Sequence, residues 1–267
     1  MDNGSYFKVA VSAALNSGRM LEESLNIPPE VTFKGEVNLV TNFDKKAQEM
    51  IYREISEAFP GHDFLAEEGL CKDKGSEFRW IIDPIDGTTN YAHRFPVFCV
   101  SIALEYQQNI ILAVIYDPLR KEMFTARKNS GAFLNEKRIH VSEVKNVNES
   151  LLSTGFPYDI RESEDNNIDY FIGFLTTAQA VRRTGSAAID ICYVACGRFD
   201  GFWEIKLSPW DVAAASLILT EAGGSISDFE GHEYDIFGHE TLASNGYIHG
   251  QMMDVLHHSA TKKDRRK

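Results

Sequence analysis

Apolar residues near the N-terminus recur with the three-to-four-residue spacing of an α-helix. This pattern covers residues 6–25 and returns from about residue 42 to about residue 59, where Thr41 or Asn42 is available as an N-terminal cap. Pro28 and Pro29 end the first stretch, because proline does not continue a helix. We therefore predict two helices joined by a mobile loop over residues 29–39.

The pattern changes after residue 78 to short apolar runs, which glycine, proline and polar residues interrupt. Such runs are typical of strands, and their close spacing favours a meandering, largely antiparallel sheet. The predicted strands are residues 78–82, 97–106, 110–116, 122–126 and 132–134.

Beyond about residue 150, stretches with helical spacing alternate with short strands, which favours an α/β arrangement. The predicted helices are residues 170–178, 187–196 and 211–222, and the predicted strands are 200–204 and 225–228. The sequence has no internal repeat and no low-complexity linker. We therefore predict two tightly packed halves, an N-terminal α+β half over residues 1–149 and a C-terminal α/β half over residues 150–267.

A cluster of candidate ligands follows the strand predicted at residues 78–82. The chain continues there as Asp83-Pro84-Ile85-Asp86-Gly87-Thr88-Thr89-Asn90. Pro84 turns the chain, so both carboxylates and the Ile85 carbonyl can converge on one volume, as Mg²⁺ requires. Gly87 permits a close approach to a ligand, and the residues after it favour a helix start that attracts phosphate. An ordinary exit from a strand into a turn uses the same residue types.

Three further acidic segments are candidates for the same site. Asp211 lies in the first turn of a predicted helix, although helix capping alone would explain an acidic residue there. Glu67 and Glu68 follow an apolar run, and on a strand they point to opposite faces, so at most one of them enters a shared site easily. Asp44 is the fourth candidate.

Composition and charge narrow the possible partners. The chain has 267 residues, of which 43% are hydrophobic and 25% are charged, so it can bury a sizeable core. A net charge of −12 disfavours a nucleic-acid partner, which needs a basic surface. The four cysteines lack the paired spacing of a zinc site. We see no secretory signal and no apolar stretch long enough for a bilayer, so we expect a cytoplasmic protein without a membrane partner.

Five segments, in this order along the chain, resemble the inositol monophosphatase family. They are Val40-Thr41 with Asp44, Glu67-Glu68, Asp83 to Asn90, Gly185-Ser186-Ala187-Ala188, and Trp210-Asp211 with Glu221-Ala222-Gly223-Gly224. The resemblance covers nearly the whole chain, and residues 182–204 are most similar to the bacterial branch. It implies a five-layer αβαβα sandwich of the sugar phosphatase type, a homodimer, and Mg²⁺-dependent hydrolysis of inositol monophosphate to inositol and phosphate.

The same resemblance implies roles for individual residues. The implied ligands of two or three Mg²⁺ ions are Glu67, Asp83, Ile85, Asp86 and Asp211, with Asp83 shared between two ions. The implied catalytic residues are Glu67, Thr88 and Asp44, which would orient the attacking water. The implied substrate-binding residues are Asp86, Gly87, Thr88, Gly185, Ser186, Ala187, Glu204 and Asp211. Lithium sensitivity is a further expectation.

Several alternatives stay open. The shared segments do not separate inositol monophosphate from other small phosphorylated sugars or polyols, and Lys206 and Ser208 lie in a stretch that varies within the family. A broader phosphatase acting on fructose 1,6-bisphosphate or histidinol phosphate is therefore the nearest alternative. A binding module of transcription complexes is another, although carboxylates that repel one another without metal favour an enzyme. Lys34 either approaches the site or is a solvated lysine.

Overall fold

The computed structural model describes residues 3–33 and 39–264, so the prediction for Lys34 lies outside the described residues. The helices in these ranges are α1 (Asn3–Ser24), α2 (Asn42–Ala58), α3 (Thr88–Ala92), α4 (Ile168–Leu175), α5 (Ala187–Ala195), α6 (Pro209–Glu221) and α7 (His249–Asp264), with a 3₁₀ turn at Val147–Glu149. The strands are β1 (Val31–Phe33), β2 (Leu39–Thr41), β3 (Asp63–Ala66), β4 (Cys71–Lys72), β5 (Phe78–Asp86), β6 (Cys99–Tyr106), β7 (Asn109–Asp117), β8 (Glu122–Arg127), β9 (Ala132–Leu134), β10 (Lys137–Arg138), β11 (Leu151–Thr154), β12 (Ala180–Arg182), β13 (Gly201–Ile205), β14 (Ser225–Ser227) and β15 (Glu240–Ser244).

The two N-terminal helices follow the predicted pattern, but the segment between them is not entirely a loop. Helix α2 begins with a capping box, in which the Thr41 hydroxyl accepts a hydrogen bond from the Phe43 amide (3.1 Å) and the Asp44 carboxylate accepts one from the Thr41 amide (2.7 Å). Strand β1 lies within the predicted loop and pairs antiparallel with β2, which begins at the last residue of that loop. That prediction was wrong in part, because the β-branched residues near both ends of the segment favour pairing.

The larger sheet has the order β10-β9-β8-β7-β6-β5-β3-β4. Its neighbours are antiparallel, except that β3 and β5 are parallel. This arrangement confirms the predicted meander over residues 78–134. Strand β5 continues to Asp86 instead of ending at residue 82, with an irregularity in its pairing between Asp83 and Asp86.

The smaller sheet has the order β12-β11-β13-β15-β14. Strands β12, β11 and β13 are parallel, whereas β15 pairs antiparallel with both β13 and β14. The parallel strands are joined through α4 and α5, as expected for the alternating pattern after residue 150.

Three apolar clusters stack the helices and sheets into layers. Helices α1 and α2 pack on one face of the larger sheet, with Ile51 and Trp80 in their shared cluster. Helices α5 and α6 lie between the two sheets, where Ile191 and Ile218 are fully buried. Helices α4 and α7 cover the far face of the smaller sheet around Trp203. The order helix, sheet, helix, sheet, helix confirms the predicted αβαβα sandwich.

Among the described residues, no helix combines the length and apolarity that a bilayer crossing needs.

Candidate active site

A cavity of about 750 Å³ opens where the end of β5 meets the N-terminal ends of α3, α5 and α6. The structure brings nearly all of the predicted site residues to its wall. Those lining it are Glu67, Asp83, Ile85, Asp86, Gly87, Thr88, Gly185, Ser186, Ala187, Glu204 and Asp211. Asp44 is not part of this wall; it is fully buried behind Thr88.

Three carboxylates converge at one end of the cavity. Asp83, Asp86 and Asp211 each place an oxygen within 4.8 Å of the others. Asp83 and Asp86 are buried, and Asp211 is partly buried. Glu67 lines the same cavity, and Glu68 is not among the residues that line it; the Glu68 backbone amide donates to Gln48 Oε1 at 2.9 Å. Both glutamates lie in a turn after β3 and not on a strand, so the expected alternation of strand faces does not explain the difference.

A bulge in β5 explains how Asp83 and Asp86 reach the same side of the sheet. Residues three positions apart on a regular strand point to opposite faces. Asp83 pairs with Ser101 and Asp86 pairs with Cys99, so three steps along β5 match two along β6. The extra residue restores a common direction for the two carboxylates. Pro84 lies within the bulge and has no amide hydrogen to lose from the ladder.

Helix α6 supplies the third carboxylate through a capping interaction. Asp211 is the third residue of the helix, and its Oδ2 accepts a hydrogen bond from the Ser208 amide at 2.7 Å. The capping explanation for Asp211 is therefore correct, but it is not the whole account. One oxygen can hold the helix start while the carboxylate also joins the acidic cluster.

Asp86 connects the cluster to helix α5. Its Oδ2 accepts hydrogen bonds from the Ser186 hydroxyl (2.6 Å) and from the Ala188 amide (2.7 Å). Ser186 is also the N-cap of α5, where its Oγ accepts a hydrogen bond from the Ile189 amide. Asp86 thereby fixes the start of α5 at the cavity, and its second oxygen is left for another ligand.

Burial and mutual repulsion make these carboxylates resist ionisation. Burial raises the pKa of Asp83 well above its usual range, and the negative charges of Glu67, Asp86 and Asp211 raise it further. Burial raises the pKa of Asp86 to about 6, against the hydrogen bonds from Ser186 and Ala188 that lower it. The pKa of Asp211 is also raised, mainly by burial and by the charge of Asp86. A divalent cation would remove this repulsion, and a set of hard oxygen donors fits Mg²⁺.

Thr88 links the acidic cluster to Asp44. The Thr88 hydroxyl lies 2.9 Å from Asp44 Oδ1 and 3.0 Å from the Ile85 carbonyl oxygen, and it can donate its one hydrogen to either. Asp44 Oδ2 accepts hydrogen bonds from the amide and hydroxyl of Thr41. Burial raises the pKa of Asp44, while these hydrogen bonds lower it. The arrangement orients the Thr88 hydroxyl towards Asp44 or Ile85 and leaves its oxygen able to accept a further hydrogen bond.

Gly87 lets two backbone segments meet at the cavity. Its φ is +100°, and a Cβ at this position would lie 3.0 Å from the Val97 carbonyl oxygen and 3.2 Å from that of Gly185. Asn90 supports the same junction, because its side-chain amide donates to the carbonyls of Val97 (2.8 Å) and Thr184 (2.9 Å). A side chain at residue 87 would separate the two segments.

Two groups at the cavity were not singled out from the sequence. Asp190 is 1% exposed and lines the cavity, where its Oδ1 accepts a hydrogen bond from the Thr184 hydroxyl at 2.6 Å. Burial raises its pKa well above the usual range. An acidic residue inside the apolar helix pattern of residues 187–196 was the available signal.

The second group is the chain segment after β11. Phe156 and Tyr158 line the cavity, and the Arg183 guanidinium lies 4.9 Å from the centre of the Phe156 ring. Tyr158 is 56% exposed, and it lines the same cavity as Glu67 and Asp211. No local sequence pattern predicts this contact, because it joins residues far apart in the chain.

Comparison with known proteins assigns the family. The chain matches the inositol monophosphatase family model over residues 2–264. It is 39% identical over 261 residues to the inositol-1-monophosphatase of Mesorhizobium japonicum, covering 96% of this chain and 97% of that protein. It is 41% identical over 234 residues to the Nus factor SuhB of Escherichia coli K12, covering 86% of this chain and 88% of that protein.

Solved structures agree with this assignment. The inositol monophosphatase from Anabaena (Nostoc) is 40% identical and superposes with a TM-score of 0.88, covering 97% of each chain. The inositol monophosphatase (IMPase) from Thermotoga maritima is 34% identical, with a TM-score of 0.89, and covers 98% of this chain and 100% of that one. Sequence, fold and the acidic cavity lead to the same conclusion: the chain belongs to the inositol monophosphatase family and is a phosphatase.

Proposed function

We propose that this phosphatase hydrolyses inositol monophosphate to inositol and phosphate and requires Mg²⁺. The observation that supports this most directly is the convergence of Asp83, Asp86 and Asp211 beside a cavity large enough for a small phosphate ester. The same proposal includes a homodimer in the cytoplasm and inhibition by lithium, which the resemblance to the family implies.

The candidate ligands of Mg²⁺ are the carboxylates of Glu67, Asp83, Asp86 and Asp211 with the Ile85 carbonyl. Two or three bound ions would neutralise charge on the phosphoryl oxygens, lower the pKa of water and stabilise the leaving alkoxide. Asp83 is suited to a shared position, since the charges of the other three carboxylates all act on its pKa. The Ile85 carbonyl oxygen has two lone pairs, so one stays free for a cation even if the Thr88 hydroxyl donates to the other.

Water orientation is assigned to Glu67 and Thr88. Because the Thr88 hydroxyl donates its hydrogen to Asp44, its oxygen can accept a hydrogen bond from the attacking water. Asp44 is a positioning residue in this scheme, held by its own hydrogen bonds to Thr41. The water oxygen forms a bond to phosphorus as the bond between phosphorus and the alcohol oxygen breaks; the attacking water gives up a proton to the surrounding water, and the departing oxygen takes one up from it, so the products are phosphate and the alcohol.

Phosphate and alcohol would occupy different parts of the cavity. The amides of Gly87 and Thr88, at the start of α3, are proposed to bind the phosphate. The hydroxyl-bearing ring is proposed to contact Asp86, Gly185, Ser186, Ala187, Glu204 and Asp211. Burial raises the pKa of Glu204 well above its usual range, and the charge of Asp211 raises it further. A polar group of this kind, largely withdrawn from water, suits a substrate hydroxyl.

The function is tested by phosphate release from inositol 1-phosphate, fructose 1,6-bisphosphate and histidinol phosphate, each with and without Mg²⁺. We expect the highest kcat/KM with inositol 1-phosphate and no turnover after the divalent ions are removed with a chelator. A higher kcat/KM with either other ester would support the broader sugar phosphatase instead. Undiminished turnover in the chelator would contradict the proposed role of Mg²⁺.

A role in transcription complexes is retained as a second candidate. The relative named Nus factor SuhB is 41% identical to this chain, about as similar as the relatives named as phosphatases. Absence of release from all three esters, together with specific capture of transcription factors by the folded protein, would favour this second candidate. The repelling carboxylates favour the phosphatase, because a scaffold gains nothing from them.

A further inference from the structure

Lys206 has an unusual backbone conformation at the edge of the cavity. Its φ is +62°, in the left-handed region that side chains other than glycine seldom adopt. It directly follows β13, two residues after Glu204, and its amide donates a hydrogen bond to the His239 carbonyl at 2.7 Å. Lys206 also lines the cavity. The conformation directs a long cationic side chain across the cavity mouth.

The ammonium group of Lys206 binds the segment that forms the opposite wall. Its Nζ lies 2.8 Å from Asp159 Oδ2, 3.0 Å from Ser163 Oγ and 3.8 Å from Asp165 Oδ2. The ammonium donates hydrogen bonds to Asp159 and Ser163, and Asp165 lies at ion-pair distance. The Lys206 side chain is 23% exposed, which is low for a lysine.

We call residues 155–165 the strap. Its first part lies against the proposed ring-binding residue Glu204: a Cβ on Gly155 would stand 2.3 Å from both Glu204 carboxylate oxygens. Phe156, Tyr158 and Asp159 then line the cavity. The strap therefore forms the wall beside the alcohol half of the proposed substrate.

One end of the strap has a buried anchor that does not involve Lys206. Asn167 is fully buried, donates a hydrogen bond to the Gly155 carbonyl (2.5 Å) and accepts one from Trp203 Nε1 (2.7 Å). The middle of the strap has no such buried anchor among the described contacts. There, Lys206 Nζ joins Asp159 to the end of β13, and His239 Nε2, just before β15, lies 2.8 Å from Asp165 Oδ2.

Charge explains why the strap needs this cation. The strap carries Asp159, Glu162, Glu164 and Asp165 against a single Arg161. The cavity that it covers is itself lined by carboxylates, so like charges oppose closure of the wall. Lys206 offsets that repulsion at the point where the strap and the cavity edge meet.

We propose that Lys206 is a specificity-determining residue, because it holds the strap as a fixed wall for the ring of the substrate. The inference rests on the proposed function, since it concerns the alcohol half of the same phosphate ester. A small ester occupies only the phosphate end of the cavity and gains little from the wall. A ring with several hydroxyl groups fits against the wall and makes polar contacts with it.

The test compares kcat/KM for inositol 1-phosphate with that for glycerol 2-phosphate. Lys206→Met keeps an unbranched apolar side chain but removes the ammonium group and its charge. We expect the ratio of the two values to fall about fivefold, the size expected for the loss of a partly exposed ion pair. Lys121→Met is the matched control: Lys121 is exposed, also has positive φ (+56°), and is not among the cavity residues.

A charge exchange separates the ion pair from simple packing. The double variant Lys206→Glu with Asp159→Lys restores an attraction between the same two positions, so we expect it to recover most of the lost ratio. A ratio that stays at the Lys206→Met value would assign the effect to packing and overturn the proposal. An unchanged ratio in Lys206→Met would also overturn it.

Tryptic cleavage after Arg161 in the full-length protein measures how readily the strap opens, independently of enzyme activity. Arg161 is exposed within the strap, and cleavage requires local opening. We expect Lys206→Met to be cut about fivefold faster, matching the loss of the ion pair, and Lys121→Met to be cut at the wild-type rate. If the wild type hydrolyses neither ester, the proposed function fails while these rates still test Lys206. Equal cleavage rates for wild type and Lys206→Met would show that Lys206 does not hold the strap in place.

Discussion

Asp83 lies in an environment that is unfavourable to a negative charge, at a position suited to binding a cation. It is 1% exposed, and burial together with Glu67, Asp86 and Asp211 raises its pKa. Such a residue destabilises the metal-free fold when it is ionised, because the charge is buried without a partner. The same position would let it bind two cations at once.

Asp83→Asn tests both consequences. We expect kcat to fall about a thousandfold, equivalent to the several kcal/mol that a catalytic cation supplies. We also expect the metal-free variant to be more stable than wild type at pH 8, by on the order of 1 kcal/mol or more, because one buried charge is removed. Turnover and urea unfolding in chelator measure the two effects.

Asp254→Asn provides the control, because Asp254 is an exposed residue of α7 remote from the cavity. It should change neither turnover nor stability appreciably. Normal Mg²⁺-dependent turnover in Asp83→Asn would disprove the assigned role of Asp83.

Thr88 gives a second test at a single side chain. Thr88→Val keeps the shape but removes the hydroxyl that Asp44 orients, so we expect kcat to fall about 10²- to 10³-fold, as for loss of general acid–base assistance. Thr88→Ser retains the hydroxyl and should keep most of the activity. Steady-state kinetics at saturating Mg²⁺ compare the two. Little loss in Thr88→Val, or an equally large loss in Thr88→Ser, would contradict the role assigned to the hydroxyl.

Among the helices, α2 and α6 deliver functional carboxylates by the same local device. Asp44 and Asp211 are each the third residue of a helix, and each accepts a hydrogen bond from the backbone amide of the N-cap residue. Capping restricts each carboxylate before any substrate binds. The remaining interactions then differ, with Asp44 holding Thr88 and Asp211 joining the acidic cluster.

A substitution at Gly87, the N-cap of α3, tests the close contact between the backbone segments that carry the Val97 and Gly185 carbonyls. Gly87→Ala must adopt a φ near +100° and also crowd the Val97 carbonyl. Gly75→Ala is matched, because Gly75 has a φ of +73° but nothing lies within 4 Å of its Cβ position. Both variants should lose about 1–2 kcal/mol from the φ alone. We expect Gly87→Ala to lose a further 1–3 kcal/mol, roughly, from crowding, and most of its activity.

Urea unfolding and turnover of the two alanine variants give this difference directly. Equal stability losses would mean that the Val97 and Gly185 carbonyls move aside readily. In that case the close approach at Gly87 would not explain the choice of glycine.

The helices and strands were predictable to different degrees. The ends of α2 and α6 follow from capping residues and from the glycines after α6, since these contacts lie within a few residues of each other. The bulge in β5 was not predictable from the pattern, because it depends on how β5 pairs with β6. The β1–β2 pairing was missed for a different reason: a loop and a short strand pair can have the same residue types.

At the level of the whole molecule, the site lies where the larger sheet meets the middle helix layer. Strand β5 brings Asp83 and Asp86, α6 brings Asp211, and α5 brings Ser186 to bind Asp86. The proposed cation site therefore depends on the packing of these layers. Binding of a cation should in turn stabilise the packed state.

The pH dependence of this stabilisation has a definite sign. The pKa of Asp86 is raised from 3.8 to about 6, so between those values the folded protein binds more protons than the unfolded chain. Stability without metal should therefore fall as pH rises through this window, and the raised pKa values of Asp83 and Asp211 extend the fall to higher pH. Below this pH window, the carboxylates are already protonated, so their repulsion no longer lowers the stability.

Saturating Mg²⁺ should consequently raise the melting temperature more at pH 8 than at pH 5. At 100 times its dissociation constant, a ligand adds about 2.7 kcal/mol, which corresponds to roughly 5–10 °C for a protein of this size. Thermal melts with Mg²⁺ or chelator at the two pH values provide the measurement, and Asp83→Asn should show a smaller shift. Equal shifts at both pH values would contradict the linkage between proton release and metal binding.

The amino-acid pattern was sufficient to predict most helices, the strands β5 to β9 of the larger sheet, the acidic start of α6 and the chemical character of the site. These features depend on contacts within a few residues or on residue type alone. The meeting of Glu67, Asp83 and Asp211, the burial of Asp190 and the capture of the strap by Lys206 required the folded chain. Their partners are distant in sequence, so sheet register and layer packing bring them together and set their pKa values.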